Sequence, residues 1–585
     1  MPYKILFSFA FPLIALNSGS SLQAAERAEE LLPASTVFFA EIHDPSATVE
    51  GFLEHSYFTN LQKLDAFKQL TQSPQYLQGM TGLRFVEFQI GMSWQNAVKT
   101  LSAGGMSLAF DAKTEGAAVI FKGEDPEKLK NLRDKVIDLA RKDAENKGNE
   151  DPYQVKEYRG IEVYTTKDGG FFTHENWLIA GNKGELGKSI IDALLDGPTK
   201  SLATNVNFKK AKKAVGARNL AWAFIDLDPL RSAPNKDLQK LFSGKADNPA
   251  GELLLGGVME SLKTASHLSA SIHAQENRLA LNVQFPYVSA ETPELREYYF
   301  GPAGTGRAKP ILEVPDMLFG LSTYRNVSEM WLRGGDLFNE QINDGLAQAD
   351  SNLSTFFSGK DFGQDILGAL SPNMQILAIR QSYSEEAPIP AIKIPAFALL
   401  AEMKDPKTTT REFRRIYQSF IGFFNVVGAM NGQPQFELDF ESLDQGELIS
   451  ATPIPELGEE TNKQAKINYN FSPTVGFSGE RLVIASSTDL ARRLATAKKA
   501  EASSVASTET NTEMVINADQ LQLALDDNRS HLITQNILKE GATREEATQK
   551  IGLFLEFLKL FEQADLKLST RDFILDLEIG VQLKE

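Results

Sequence analysis

The chain of 585 residues contains no cysteine. That excludes disulfides, a thiolate nucleophile, iron–sulfur clusters and Cys-ligated zinc. It has only six histidines, and they do not cluster. His43 and His55 lack the i,i+4 spacing of a helical zinc pair, and His174 falls in a turn between strands. His267 and His273 belong to one alternating strand, and His531 stands alone near Asp526 and Asp527. Positive charge is also short: 60 Lys and Arg against 77 Asp and Glu give 60 − 77 = −17. Such a surface does not suit a nucleic-acid partner. Beyond the N-terminus no run reaches 18 uncharged apolar residues, so no integral membrane segment is expected.

The N-terminal residues have the parts of a secretory signal. Lys4 precedes an apolar run from Ile5 to Leu16, and a small, polar stretch then ends in Leu22-Gln23-Ala24-Ala25. The run is 12 residues, short of the roughly 20 that span a bilayer. Residues 1–25 are therefore expected to be a cleaved signal peptide, with a retained anchor as the alternative; a lipoprotein is excluded because there is no cysteine to acylate. The expected location is the periplasm or the extracellular side of the cell envelope.

The remainder reads as one unit used twice. Ala117–Phe121 leads to Asp125-Pro126, and Phe397–Ala401 leads to Asp405-Pro406, 280 residues later. In each case Asp can cap a helix start and Pro fits its first turn. Asn176–Gly181 matches Glu480–Ser486, and Ala221–Asp226 matches Glu513–Ala518. Both halves open on a strand, Val37–Glu41 and Leu318–Ser322. Both close on period-two stretches that predict hairpins, one with Leu268, Ala270 and Ile272 before Leu279 to Phe285, the other from Leu566 to Leu583. Asn182 is expected to cap a helix with Glu185 in a capping box, and Thr543 with Glu546 in another. The fold class is α+β: two tandem pseudo-repeats, each a mostly antiparallel sheet covered by helices. The expected repeats are 26–290 and 311–585, joined by a Pro- and Gly-rich linker over 291–310.

Chemistry is sparse. Gly301–Gly306 lacks the Lys-Ser/Thr of a phosphate loop, and Pro302 and Pro310 oppose a following helix. Asp226 and Asp228 end a strand, where a turn or capping role outweighs a hard metal site. Glu437, Asp439 and Glu441 alternate with Phe436, Leu438 and Phe440, as on a strand with one solvated and one core face. Lys209, Lys210, Lys212 and Lys213 form one basic run and Arg411, Arg414 and Arg415 another; on a chain of −17 both read as local helix faces, with an anionic envelope polymer or lipid surface as the alternative use of either. No Gly-x-Ser-x-Gly elbow is present. No catalytic, cofactor-binding or metal-ligating residue is assigned, and no cofactor is expected.

Several stretches together resemble a family of exported bacterial proteins of unknown function, typical of planctomycetes. They are Leu31–Thr36; Trp94 with Leu101 and Gly104-Gly105; Ser322–Asn326 with Trp331; and Phe357, Asp361–Gly363, Asp365–Leu367 and Leu370–Pro372. The likeness is a pattern of structural positions. It implies export and a cell-envelope setting and brings no activity, cofactor or site residue. The expected function is thus a non-catalytic binding or structural module, with an unidentified envelope protein or polymer as partner. The alternatives are an exported hydrolase, with one of His43, His174 or His273 beside a carboxylate and a hydroxyl, or a carrier of a hydrophobic ligand in a cavity between sheet and helices.

Overall fold

The computed structural model describes residues 26–584 apart from 198–199, 217–218, 234–238, 241, 243, 276, 288–296, 358, 432, 434, 456–457, 459–461 and 499–508. The expected signal peptide, 1–25, lies outside the described residues. The chain forms two compact units, and each is an α+β structure with an antiparallel sheet.

The first unit runs to Phe242 and adds Ala265–Pro286. Its strands are β1 (Thr36–Ile42), β2 (Met106–Asp111), β3 (Gly116–Lys122), β4 (Gln154–Tyr158), β5 (Ile161–Thr166), β6 (Gly169–His174), β7 (Trp177–Gly181), β8 (Ala221–Asp226), β9 (His267–Gln275) and β10 (Arg278–Pro286). They pair in the order 4-5-6-7-3-2-1-8-9-10, antiparallel throughout. Helix α1 (Pro126–Asn146) starts at Asp125, whose carboxylate accepts from the N–H groups of Glu127 and Lys128. Helices α2 (Gly184–Asp196) and α3 (Val206–Val215) cover one sheet face. Leu186, Ile190, Phe208 and Ala211 bury against Phe39, Ala118, Ile120, Ile179, Trp222 and Phe224. Phe208 is the hub, with its ring 5.2–5.5 Å from those of Phe39, Trp222 and Phe224. The expected Asn182 cap is corrected: Lys183 holds the N-cap position, and Asn182 Oδ1 instead accepts from Ala117 N–H, tying the helix entry to β3.

The second unit comprises Ser243–Thr264 and Tyr287–Lys584. Its strands are β11 (Met317–Tyr324), β12 (Leu370–Ile379), β13 (Ala396–Met403), β14 (Phe436–Leu443), β15 (Gly446–Pro453), β16 (Thr474–Ser478), β17 (Arg481–Ala485), β18 (Thr510–Asn517), β19 (Phe561–Arg571) and β20 (Ile574–Leu583). They pair as 14-15-16-17-13-12-11-18-19-20, again antiparallel throughout. This is the order of the first unit with ten added to each strand number. The strands matched by sequence hold corresponding places in the two orders. Helix α4 (Pro249–Thr264) belongs to this unit. Helix α5 (Pro406–Met430) is capped by Asp405, which accepts from Thr408 N–H. Helix α6 (Thr488–Thr496) buries Leu490, Ala491 and Leu494 against Leu377, Ala398, Leu400, Leu448 and Val483. The Thr543–Glu546 capping box forms as expected.

Two segments fall elsewhere than a cut between 290 and 311 places them. Helix α4 lies in the first half of the sequence but packs in the second unit, and Tyr298, Tyr299 and Phe300, inside the expected linker, are buried there. The cause is a close helix approach. A Cβ on Gly257 would stand 2.6 Å from the Phe300 ring, and one on Gly256 2.9 Å from the Tyr299 ring. The Pro- and Gly-rich composition that suggested a linker therefore serves tight packing.

Arg325, at the end of β11, locks this arrangement. Its side chain is fully buried. It donates to the carbonyls of Leu253 (2.6 Å), Leu254 (2.9 Å), Tyr299 (3.0 Å) and Tyr324 (2.6 Å) and to Asn511 Oδ1 (2.7 Å). Burial pushes its pKa down to about 10, so the guanidinium stays charged at neutral pH.

Candidate functional site

A cleft of about 1230 Å³ opens in the second unit. Its walls come from β12, β13, the β14–β15 and β16–β17 turns and the C-terminal end of α6. The β14–β15 turn can approach β16 closely because Gly446 has no side chain; a Cβ there would fall 1.8 Å from the Phe477 carbonyl oxygen. Lys309, Arg481, Arg492 and Lys498 face Glu402, Glu441, Asp444 and Glu480, four charges of each sign. Arg492 grips Glu441 through Nε at 2.9 Å and Nη2 at 2.6 Å, which holds the Glu441 carboxyl below the usual range. Lys309 pairs with Glu402. Arg481 donates to the carbonyls of Leu494 and Ala497, satisfying the α6 terminus, and burial pulls its pKa down. Gln375 bridges Leu312 N–H and the Pro310 carbonyl at 3.0 and 2.8 Å. Ser442, Ser478 and Thr496 supply hydroxyls, but among the described residues no histidine lines the cleft. Arg492–Glu441 and Lys309–Glu402 tie four of these eight charges to one another.

The histidines that sequence singled out lie apart. His43 Nδ1 is 3.4 Å from Glu41, whose carboxylate also accepts from Trp222 Nε1 at 2.8 Å. His174 ends β6, across from Trp177, and makes no side-chain hydrogen bond or ion pair among the described residues. His273 Nε2 meets Ser271 Oγ at 2.9 Å. His267 is buried beside Ser266 Oγ; burial, then Lys210, lowers its pKa against the pull of Asp226 and Asp228. An imidazole held neutral in the fold takes its proton later than in the unfolded chain. Stability is therefore full above about pH 6.5 and falls as pH drops through the depressed value. Thermal melts at about pH 7.5 and about pH 5.5 should show this loss in the native protein and a smaller one in His267→Asn.

The other polar candidates are structural. Asp226 accepts from Asn205 and Asn207, and Asp228 from Asn207 and Arg231. No group of three or more His, Asp or Glu suited to a metal ion occurs among the described residues. Lys212 pairs with the buried Glu29 at 2.6 Å. The Gly301–Gly306 loop is filled by the Tyr324 ring against Gly306 and by Asn511, which donates to the Gly306 carbonyl. On β14 the expected core face ends early. Phe436 and Leu438 are half-buried, Phe440 is 57% exposed, and Glu441 lines the cleft.

The least expected feature is the sheet face opposite each core. Period two along β9 suggested that Leu268, Ala270 and Ile272 face inward. Instead His267, Ser269 and Ser271 are buried on the side of Phe224 and α3, because small residues admit the helix closely. Leu268, Ala270 and Ile272 join the other face. Cross-strand register aligns them with Ile225 and Ala223 on β8, Phe38 and Ala40 on β1, Phe110 and Leu108 on β2, and Val283 and Leu281 on β10. No charged side chain interrupts these positions. Leu108, Phe110, Leu279 and Leu281 are 37–46% exposed. In the second unit the corresponding row, Ile484, Leu399, Ile376, Leu321, Met514, Leu566 and Ile579, crosses seven strands but is covered in part: Leu321 is 4% exposed, and Val475, paired with Ile484, is 2% exposed in the cluster that Phe413 and Tyr417 of α5 pack against, which leaves Phe397, Ile484 and Ile579 at 41–52%. Between sheet and helices, by contrast, the cores are filled: Leu186, Ile190, Phe224, Leu490 and Val483 are fully buried. A carrier cavity in that layer is not what the packing provides.

No helix among the described residues is long and apolar enough to cross a membrane. Comparison with family models and with curated proteins gives no match. Among solved structures, three crystal forms of TP0453 align. Form I shares 12% identity over 45% of this chain and 80% of that one at a TM-score of 0.25. Form III shares 10% over 45% and 81% at 0.25, and form IV 10% over 44% and 80% at 0.24.

Proposed function

We propose that the protein is an exported, non-catalytic module of the cell envelope that holds the acyl chains of a lipid against its sheets. What supports the reading is the apolar face opposite the core of the first unit, where Leu108, Phe110, Leu279 and Leu281 are 37–46% exposed. Contiguous exposed apolar surface of this breadth is uncommon on a free protein surface. A protein partner calls for hydrogen-bonding groups and Arg or Tyr anchors, which these strand positions lack; an acyl chain needs none. The common strand order fits an ancestral unit doubled within the chain; in the second unit α5 covers part of the equivalent face and leaves Phe397, Ile484 and Ile579 half-exposed. Export and membership of the planctomycete-type family belong to the same reading.

The test is organic extraction of the purified protein followed by mass spectrometry, with displacement of a fluorescent fatty acid as the binding assay. The expected result is a co-purified lipid and saturable probe binding. Leu108→Glu with Phe110→Glu, or Phe397→Glu with Ile484→Glu, should weaken probe binding about tenfold or more, since a carboxylate there must be desolvated. Extracts free of lipid together with absent probe binding overturn the reading. Labelling of a serine by a fluorophosphonate favours the hydrolase instead.

A further inference from the structure

We propose that the outer face of α5 docks the protein on an anionic lipid surface. This goes beyond the carrier reading and does not depend on it. The inner face of the helix is anchored: Tyr417 donates to the Pro473 carbonyl at 2.6 Å, Asn425 exchanges hydrogen bonds with the Phe436 backbone, and Ile421 is buried. The outer face changes character along the axis. Its N-terminal half exposes Arg411 and Arg415, which have no ion-pair partner among the described residues. Its C-terminal half exposes Phe423 (55%), Val426 (65%) and Met430 (81%). Lys407, Arg411, Arg414 and Arg415 against Glu412 make the helix 4 − 1 = +3, on a chain of −17.

A basic half followed by an apolar half matches the two layers of a membrane surface. Arg415 and Phe423 are eight residues apart, roughly 12 Å along the axis. An oblique approach therefore lets the guanidinium groups meet lipid phosphates while Phe423 and Met430 enter the acyl boundary, about 5–10 Å deeper. A second copy fits less well. Antiparallel pairing of two such helices lays Arg411 and Arg415 of one on Phe423 and Met430 of the other, burying charge without a partner, and parallel pairing opposes like charges.

The experiment is co-sedimentation of the full chain with vesicles of phosphatidylglycerol mixed with phosphatidylcholine, and with phosphatidylcholine alone. Binding is expected to the anionic vesicles and to weaken with salt. Arg411→Gln/Arg415→Gln should bind about tenfold to thirtyfold more weakly. Phe423→Ser/Met430→Ser should lose binding with an unchanged circular-dichroism melt. Phe88→Ser, equally exposed on another helix, should bind like the native protein. Leu108→Glu/Phe110→Glu should also bind vesicles normally, which separates failure of this proposal from failure of the carrier reading. Absence of vesicle binding, binding indifferent to both α5 variants, or light scattering that shows a dimer dissolved by Phe423→Ser would each overturn it.

Discussion

Arg325→Met is expected to destabilise the protein by about 3–5 kcal/mol, read as a shift of the urea midpoint. The wild-type guanidinium satisfies five acceptors at 2.6–3.0 Å, four of them backbone carbonyls. Methionine fills much of the same volume and avoids the cost of a buried charge, which offsets part of the loss. It leaves acceptors from α4, the Tyr299 segment and β11 without their shared donor, and a buried polar atom left unpaired costs about 1–3 kcal/mol. Arg325→Lys tests the fork geometry directly. One ammonium cannot reach acceptors spread around a planar group, so lysine should recover little of the stability although it keeps the charge. Arg333→Met is the control. Arg333 is partly exposed and sits 3.7–3.8 Å from Glu329 and Asp336, so its removal should stay within about 0.5 kcal/mol. A shift of less than about 1 kcal/mol for Arg325→Met would show that α4 is held by its apolar contacts alone.

Phe208→Ala should cost about 3–5 kcal/mol in the first unit. Its ring is 1% exposed and meets Phe39, Trp222 and Phe224 within 5.5 Å, in tilted and edge-on arrangements. Truncation removes the buried area and the ring–ring contacts, and Phe39 and Phe224, held by strand register, cannot collapse far into the space. Phe88→Ala, at an 81% exposed position, should change stability by no more than about 0.5 kcal/mol. The measurement is again the denaturant midpoint. Equal shifts for the two variants would mean that the packing around α3 is not the core of the unit.

Local signals in the sequence were sound where side chains act on their own backbone. Asp125, Asp405 and Thr543 cap the helices whose starts they mark, and the paired strand motifs fall at corresponding places in two antiparallel orders. What periodicity could not tell was which strand face a helix would cover. On β9 the serine face lies inside because α3 needs small neighbours, and on β14 Phe436 and Leu438 are half-buried while Phe440 is exposed. Arg325 carried no local signature, since most of its partners are main-chain carbonyls that any residue supplies. The cleft was equally hidden, because its walls come from turns and strands spread over nearly 190 positions, from Lys309 to Lys498. The apolar face of the first unit is present in the sequence as alternating residues, but alternation alone does not say which side a helix covers.

The placement of α4 also bears on how the chain is made. Its apolar residues leave the ribosome with the first half, yet Asn511, which completes the cage around Arg325, comes 247 positions after Thr264. At common elongation speeds that is a wait on the order of tens of seconds. Tyr299, Phe300 and Arg325 emerge early in that interval and can meet the helix, but the cage around Arg325 stays open until Asn511 arrives. A gene cut at the seam between the halves would part the helix from all of these partners.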